Sequence, residues 1–332
     1  MGTPSRPPVN PFIAIIVGIL AASTASLFIR FAQDFAASII IAAYRLGVAT
    51  LLISPFVLTK KRAELGSITK REILLAILSG IFLAIHFSTW IKSLEYTTVA
   101  SSVVLVSTVP LWVALFSPIL LKEPITKPVL SGMVLAFVGV IIIAVSDVCS
   151  VEHGGVVCPT YNTFFRGEAF LGDLLALAGA VSAAMYVIIG RSLRQRVSLL
   201  SYVFVVYGIA SVVLIVLALF SNNPISGYPN MAYVWFILLA IVPQLLGHSS
   251  LNYALGYLSA AFVSIVLLGE PIGATILAYI FLGEVPTIMK VSGAVLILAG
   301  IYIASISDIR NNTQAEKIDH IDHANVIRES QK

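Results

Sequence analysis

The chain has 332 residues, of which 58% are hydrophobic and only 11% charged, and its mean hydropathy is +0.99. A soluble globular domain is roughly 45–50% apolar and about 25% charged, so this composition excludes a soluble protein and indicates a polytopic membrane protein. The net charge of +4 does not imply nucleic acid as a partner, because the few basic residues sit in short clusters between apolar runs, where such clusters set membrane orientation.

Breaks at charges, Pro/Gly clusters and polar dipeptides divide the chain. A tail over 1–11 precedes apolar runs at 12–29, 36–58, 73–91, 97–121 and 128–146, and a loop over 147–172 follows. Further runs lie at 173–190, 198–220, 231–252, 258–282 and 288–306, before a tail over 307–332. Between Val197 and Gly269 there is no Asp, Glu, Lys or Arg. About 20 apolar residues cross roughly 30 Å of hydrocarbon, so several helices must fit there. The runs are continuous rather than alternating, and open sheet edges cannot be satisfied in hydrocarbon. The expected fold is therefore all-α.

With the N-terminus in the cytoplasm, fifteen of the twenty Lys and Arg residues fall inside. Arg30, Lys92, Arg166 and Lys290 fall outside and Arg45 lies within a span. The positive-inside rule then predicts a plasma (inner) membrane protein with both termini cytoplasmic. The first run is short and ends in A-A-S-T-A-S, like a cleaved signal, but the internal repeat argues for retention. Arg6 stands where N-myristoylation needs Ser or Thr.

Adding 161 to a first-half position gives its counterpart without a gap. Gly18 meets Gly179, Arg30 meets Arg191, Gly47 meets Gly208, and Tyr96 meets Tyr257. Likewise Pro110, Glu123, Ser131, Gly132 and Gly139 meet Pro271, Glu284, Ser292, Gly293 and Gly300. The expected units are a first repeat over 12–146 and a second over 173–306. Each holds five helices, an odd number, so the second enters the membrane from the opposite side. Inverted repeats of this kind are typical of secondary transporters, with substrate near the midplane.

The stretch Y-T-T-V-A-S-S-V-V-L-V-S-T-V-P-L-W-V-A-L-F-S-P-I-L-L-K-E-P-I-T at 96–126 and its second copy at 257–287, each running on into a Gly-containing helix, resemble the EamA-type domains of the drug/metabolite transporter (DMT) superfamily. The resemblance implies ten helices in two inverted five-helix bundles. It further implies peripheral helices five and ten, and a cavity walled mainly by helices three, four, eight and nine. Members carry amino acids, sugars, nucleotide sugars and other small metabolites.

Two charges lie deep in the spans. At about 1.5 Å per residue, Arg45 is roughly 16 Å below Asp34 and Glu270 roughly 21 Å below Glu284, depths compatible with a pair. A charge at the bilayer centre costs at least about 2.5–3.5 kcal/mol, so it faces a cavity or a partner. Either Glu270 takes a proton or a substrate ammonium while Arg45 serves as counter-charge or carboxylate clamp, or the two form a structural ion pair. Gln244, His248 and Asn252, spaced by four, would share one face of helix eight, as cavity lining or as interhelical glue. Phe82, His86 and Trp90 make a similar stripe. Trp90 fits either a substrate contact or an interfacial belt, and His86 either a titrating group or a satisfied buried donor. Ser107, Thr108, Tyr186 and Ser264 join the candidate lining. Pro110 and Pro271 are candidate hinges, each removing a backbone hydrogen bond at a matching depth.

Cys149 and Cys158 lie in the loop between repeats, where an extracellular position permits a disulfide. A zinc site from these and His153 lacks a fourth ligand, and the I-D-H-I-D-H tail reads as solvated. No metal or cofactor is expected. The chain is read as a secondary transporter, an exporter or exchanger, of a small metabolite. An amino acid or related zwitterion fits best, with a proton or counter-substrate as coupling partner and a monomer or homodimer as the assembly. Competing readings are a nucleotide-sugar or sugar-phosphate carrier, a drug or quaternary-ammonium carrier, and a non-transporting scaffold. No zinc-protease H-E-x-x-H or phosphate-binding Gly loop occurs, and adjacent His248 and Ser249 point about 100° apart on a helix, so no enzyme is expected.

Overall fold

The computed structural model describes residues 7–96, 102, 105–148, 150–152, 155–157, 168–282, 288–289 and 291–304. The first apolar run forms two helices where one was expected, α1 (Pro11–Ala22) and α2 (Ala25–Gln33). Asn10 caps α1 by accepting from the Phe12 N–H. At the break the Ser23 and Thr24 hydroxyls donate back to the carbonyls of Ile19 and Ala21, and such side-chain bonds bend helices.

There follow α3 (Ser38–Lys60), a short α4 (Arg62–Ser67), α5 (Lys70–Tyr96), α6 (Val109–Leu120) and α7 (Lys127–Val148). The loop between repeats carries a small antiparallel hairpin, β1 (Ser150–Glu152) with β2 (Gly155–Val157), which the sequence reading did not include. The second half continues with α8 (Glu168–Arg194), α9 (Leu199–Phe220) and α10 (Asn230–Leu239). A π-helical segment, Ala240–His248, leads into α11 (Ser249–Ala254). Then come α12 (Ala260–Val266), a tight 3₁₀ turn at Leu267–Gly269, α13 (Glu270–Leu282) and α14 (Val291–Ala304). Seven helical stretches among the described residues are long and apolar enough to cross a membrane, and three shorter apolar helices accompany them. The polytopic all-α architecture is as expected.

Prolines explain three departures from straight helices. Pro has no N–H to donate to the carbonyl four residues earlier, and its ring crowds that carbonyl. At Pro271 the ninth run, expected to be continuous, is split by the 3₁₀ turn, so Glu270 opens α13. At Pro110 the fourth run restarts, with the proline in the first turn of α6. At Pro243 the ladder slips by one residue, and the Ser249 N–H reaches back to the Gln244 carbonyl. That slip corrects the stripe expected from Gln244, His248 and Asn252, because a π-turn adds a residue and rotates Gln244 relative to the other two.

The core sits where α5 runs along α8, with α9 packed against α3 and α5. On one side α7 and α14 meet backbone to backbone. A Cβ on Gly132 would overlap the Gly300 carbonyl oxygen, and one on Gly139 would lie 2.5 Å from the Gly293 carbonyl oxygen. Small residues are what permit two membrane helices to approach this closely. Cys149, Cys158, His153 and the acidic–histidine tail lie outside the described residues.

Candidate functional site

The helix breaks converge on one cavity of about 100 Å³. Arg45, His86, Trp90, Ser107, Pro110, Tyr186, His248, Asn252, Ser264, Glu270 and Pro271 all line it. The sequence candidates drawn from α3, α5, α6, α8, the π segment, α11, α12 and α13 are thereby brought together. The exceptions are Gln244, which stands behind Arg45, together with Thr108 and Phe82. The remaining wall is mostly apolar, from residues such as Val106, Val187, Leu251, Leu255, Val263 and Leu267.

Arg45 is completely buried. Its Nε donates to Oε1 of Gln244 at 2.8 Å, and its guanidinium carbon lies 4.2 Å from the centre of the Phe87 ring, an aromatic face that attracts a cation. Nη1 and Nη2 are buried without a hydrogen-bond partner, as are Nε2 of Gln244 and Nε1 of Trp90. Buried polar groups in native proteins are nearly always paired. A buried guanidinium with two idle nitrogens is costly.

Glu270 and Arg45 attract each other but are not in direct contact. Among the described residues no salt bridge joins them within 4.0 Å, which corrects the structural ion-pair reading. Glu270 instead holds the first turn of α13, where the helix dipole favours an anion. Its carbonyl, not its carboxylate, accepts from the Ser23 hydroxyl at 3.3 Å. The break between α1 and α2 thus meets the break before α13.

His86 Nδ1 lies 3.0 Å from the Gly179 carbonyl. A carbonyl only accepts, so Nδ1 carries the proton, as a satisfied buried histidine requires. The His86 ring stacks on Trp90, with centroids 5.8 Å apart and planes 13° from parallel. Trp90 is 5% exposed and faces the cavity, so the interfacial-belt reading is corrected. His248 meets the edge of Phe87 at 5.3 Å. Asn252 Nδ2 donates to the hydroxyls of Tyr186 and Tyr207, and Tyr207 in turn lies 3.3 Å from the Ser249 hydroxyl. Ser264 donates to the Ala261 carbonyl at 2.7 Å. Thr108 faces elsewhere, donating to the Leu105 carbonyl and accepting from the Trp112 indole, and Phe82 packs against the main core.

The sequence reading missed Ser26, which lines the cavity from α2, and Phe87. With seventeen phenylalanines in the chain, nothing in the pattern distinguishes the one that meets a guanidinium.

Residues 10–145 and 170–306 each match the EamA-like transporter family. The chain belongs to that family. As an EamA protein of the DMT superfamily it is an integral, multi-pass membrane transporter. Among curated relatives it is 28% identical over 271 residues to the uncharacterized transporter YyaM of Bacillus subtilis (strain 168), covering 80% of this chain and 83% of the relative. It is 26% identical over 276 residues to an uncharacterized transporter of Archaeoglobus fulgidus, covering 83% and 91%. Solute carrier family 35 member G1 of Mus musculus is 24% identical over 302 residues, covering 89% and 79%. A solved crystal structure of 17% identity superposes with a TM-score of 0.71 over 90% of this chain and 98% of the other, a likeness of fold alone. The EamA membership points to transport rather than catalysis.

Proposed function

We propose that this transporter carries a small zwitterion of the amino-acid type across the plasma membrane by alternating access, as an exporter or exchanger with both termini in the cytoplasm. The observation that carries the reading is that Arg45 and Glu270 line one cavity and attract each other without a salt bridge within 4.0 Å. Two opposite charges in one apolar cavity gain most by closing on each other, yet Arg45 is held by Gln244 and Phe87 with two nitrogens idle. A ligand bearing both a carboxylate and an ammonium fills that gap. Its carboxylate takes the planar guanidinium fork, which matches a carboxylate with two parallel bonds, and its ammonium takes Glu270. The apolar wall accepts the rest of the molecule.

Nucleotide sugars and sugar phosphates carry more negative charge than the single cavity cation Arg45 offsets. The helix interruptions at Pro110 and Pro271, both of which line the cavity, support a site of the kind found in other carriers built from inverted repeats. Fifteen basic residues on one side support the orientation. Glu270 also supplies a site for a coupling proton between substrate binding events.

The test is thermal unfolding of the purified protein against amino acids, polyamines, quaternary ammonium compounds, nucleotide sugars and sugar phosphates, since a ligand that binds only the folded state raises its stability. Stabilisation by amino acids that disappears in both Glu270→Gln and Arg45→Ala is expected. Stabilisation by a phosphate ester or a quaternary ammonium compound instead, or amino-acid stabilisation that survives both substitutions, would overturn the substrate reading.

A further inference from the structure

Beneath the cavity, at the membrane face that carries the N-terminus, four chain segments are tied by one ion pair. Glu123, in the turn after α6, meets Arg191 at the end of α8, with 2.8 Å between Oε1 and Nε. Arg191 Nη1 also donates to the Leu255 carbonyl at 2.9 Å. The second oxygen of Glu123 accepts from the Ala260 N–H at 3.4 Å, at the start of α12. Leu255 lines the cavity, as does Val263 one turn into α12. Alongside, Arg194 donates to the carbonyls of Asn252 and Val197, and Asn252 is another lining residue. The first repeat contributes the carboxylate and the second repeat everything it holds. The cluster therefore closes the floor of the cavity across the boundary between the repeats.

The sequence offset adds a second observation. Arg30 is the counterpart of Arg191, and Leu94 that of Leu255. Arg30 lies in the last turn of α2, at the opposite membrane face. It is exposed and makes no hydrogen bond or ion pair with any described residue, so it does not reach the Leu94 carbonyl. Glu284, the counterpart of Glu123, lies outside the described residues. The arginine is engaged at one face and idle at the other. A strut needed for folding would be made in both repeats at once, whereas inverted repeats that open one face at a time engage one copy and release the other.

We infer that Glu123 and Arg191 form a latch that shuts the cavity toward the N-terminal face and must part for passage there, with Arg30 as the arginine that engages when the opposite face shuts. This rests on the alternating-access reading above but not on the identity of the substrate. The pair is suited to the task, because its side chains are 15% and 23% exposed. Charge-assisted bonds at that depth are strong enough to bias a conformation, while water can still reach them when they separate.

The experiment reads access rather than transport. Ser107→Cys is introduced into a chain with Cys149 and Cys158 replaced by serine, and its labelling by a membrane-impermeant maleimide is timed from each side of oriented vesicles. Glu123→Gln and Arg191→Gln should each speed labelling from the N-terminal face by about tenfold, the shift expected when a charge-assisted bond leaves one side of a two-state equilibrium. The exchange Glu123→Arg with Arg191→Glu should restore the slower rate. Arg30→Gln should change the balance of labelling in the opposite sense. Should a single variant fail to fold, Glu123→Asp weakens the contact without removing charge and should give a smaller increase. Labelling unchanged from both sides in folded variants, with only a lowered melting temperature, would overturn the latch. Labelling that responds while no amino acid stabilises the protein would keep the latch and discard the substrate.

Discussion

Gln244, rather than Glu270, holds Arg45: its carboxamide oxygen takes the guanidinium Nε at 2.8 Å, and both terminal nitrogens stay buried without a hydrogen-bond partner. The glutamine is positioned for this by the π-turn at Pro243. A backbone irregularity thereby decides which way the binding cation points.

Removing that support predicts a specific kinetic signature. Gln244→Ala orphans Nε and frees the guanidinium to turn, and hydrogen bonds to charged groups are worth about 1.5–3 kcal/mol. Substrate affinity should fall about 10–100-fold with a smaller change in maximal rate. Gln244→Glu separates positioning from mere satisfaction of Nε. A carboxylate there neutralises Arg45 and competes with the carboxylate of the substrate, so affinity should fall in this variant too. Uptake kinetics in proteoliposomes check both, and full activity in Gln244→Glu would show that satisfying Nε is all the residue does.

The glycines between α7 and α14 predict a stability effect remote from the cavity. A side chain at Gly132, Gly139 or Gly300 meets a backbone carbonyl of the facing helix, which cannot swing aside as a side-chain end can. Overpacking of this kind typically costs about 1–3 kcal/mol. Gly132→Val and Gly300→Val should lower the melting temperature clearly. Gly66→Ala should not, because nothing lies within 4 Å of a Cβ at that position.

The short helix α4, between α3 and α5, predicts a pH dependence. Burial pushes the Glu64 carboxyl up, but the Ser198 hydroxyl and N–H and the Lys61 ammonium together hold it below its ordinary value. A carboxylate depressed in the folded protein stabilises it above the unfolded value of about 4.3, and that contribution disappears as pH falls through the folded value. Glu64→Ala should therefore melt lower than the parent at pH 7. The two melting curves should converge once pH has fallen below the depressed folded value, where the parent carboxyl is protonated in both states. A difference independent of pH would assign the effect to packing.

The hairpin predicts a covalent link. Its register pairs Ser150 with Val157, Val151 with Val156 and Glu152 with Gly155. Cys149 and Cys158, outside the described residues, flank this hairpin in the sequence. Alkylation of the purified protein should label neither cysteine before reduction and both after it, as mass spectrometry will register. Two thiols reactive from the start would argue against both the bond and an oxidising location for the loop.

Much of the candidate site was legible because charge and polarity stand out in apolar spans. Arg45, Glu270, Asn252 and His248 are conspicuous for their cost in hydrocarbon, and the 161-residue offset fixed the order of the spans. The breaks were partly legible. Pro110 and Pro271 marked their depths, but the Pro243 slip depends on how neighbouring helices re-satisfy freed backbone groups. What pairs with what was hidden. The contact of Glu123 with Arg191 spans 68 residues, and the choice of Gln244 over Glu270 turns on a rotation of one residue in the π segment. Trp90 illustrates the limit from the other side: its place near a helix end suggested a lipid interface, whereas α5 presents it inward against His86.

The glycine seam has a reciprocity that reaches beyond packing. Gly132 meets Gly300 as Gly293 meets Gly139, and Gly139 meets Ile297 as Gly300 meets Ala136. Under the 161-residue offset each contact maps onto its partner. This is the isologous form of a two-fold dimer interface, contained within one polypeptide. A half-length chain with this surface would be complementary to an upside-down copy of itself. The seam thus gives the two halves one self-complementary contact, so a substitution at any of its glycines disturbs both repeats at once.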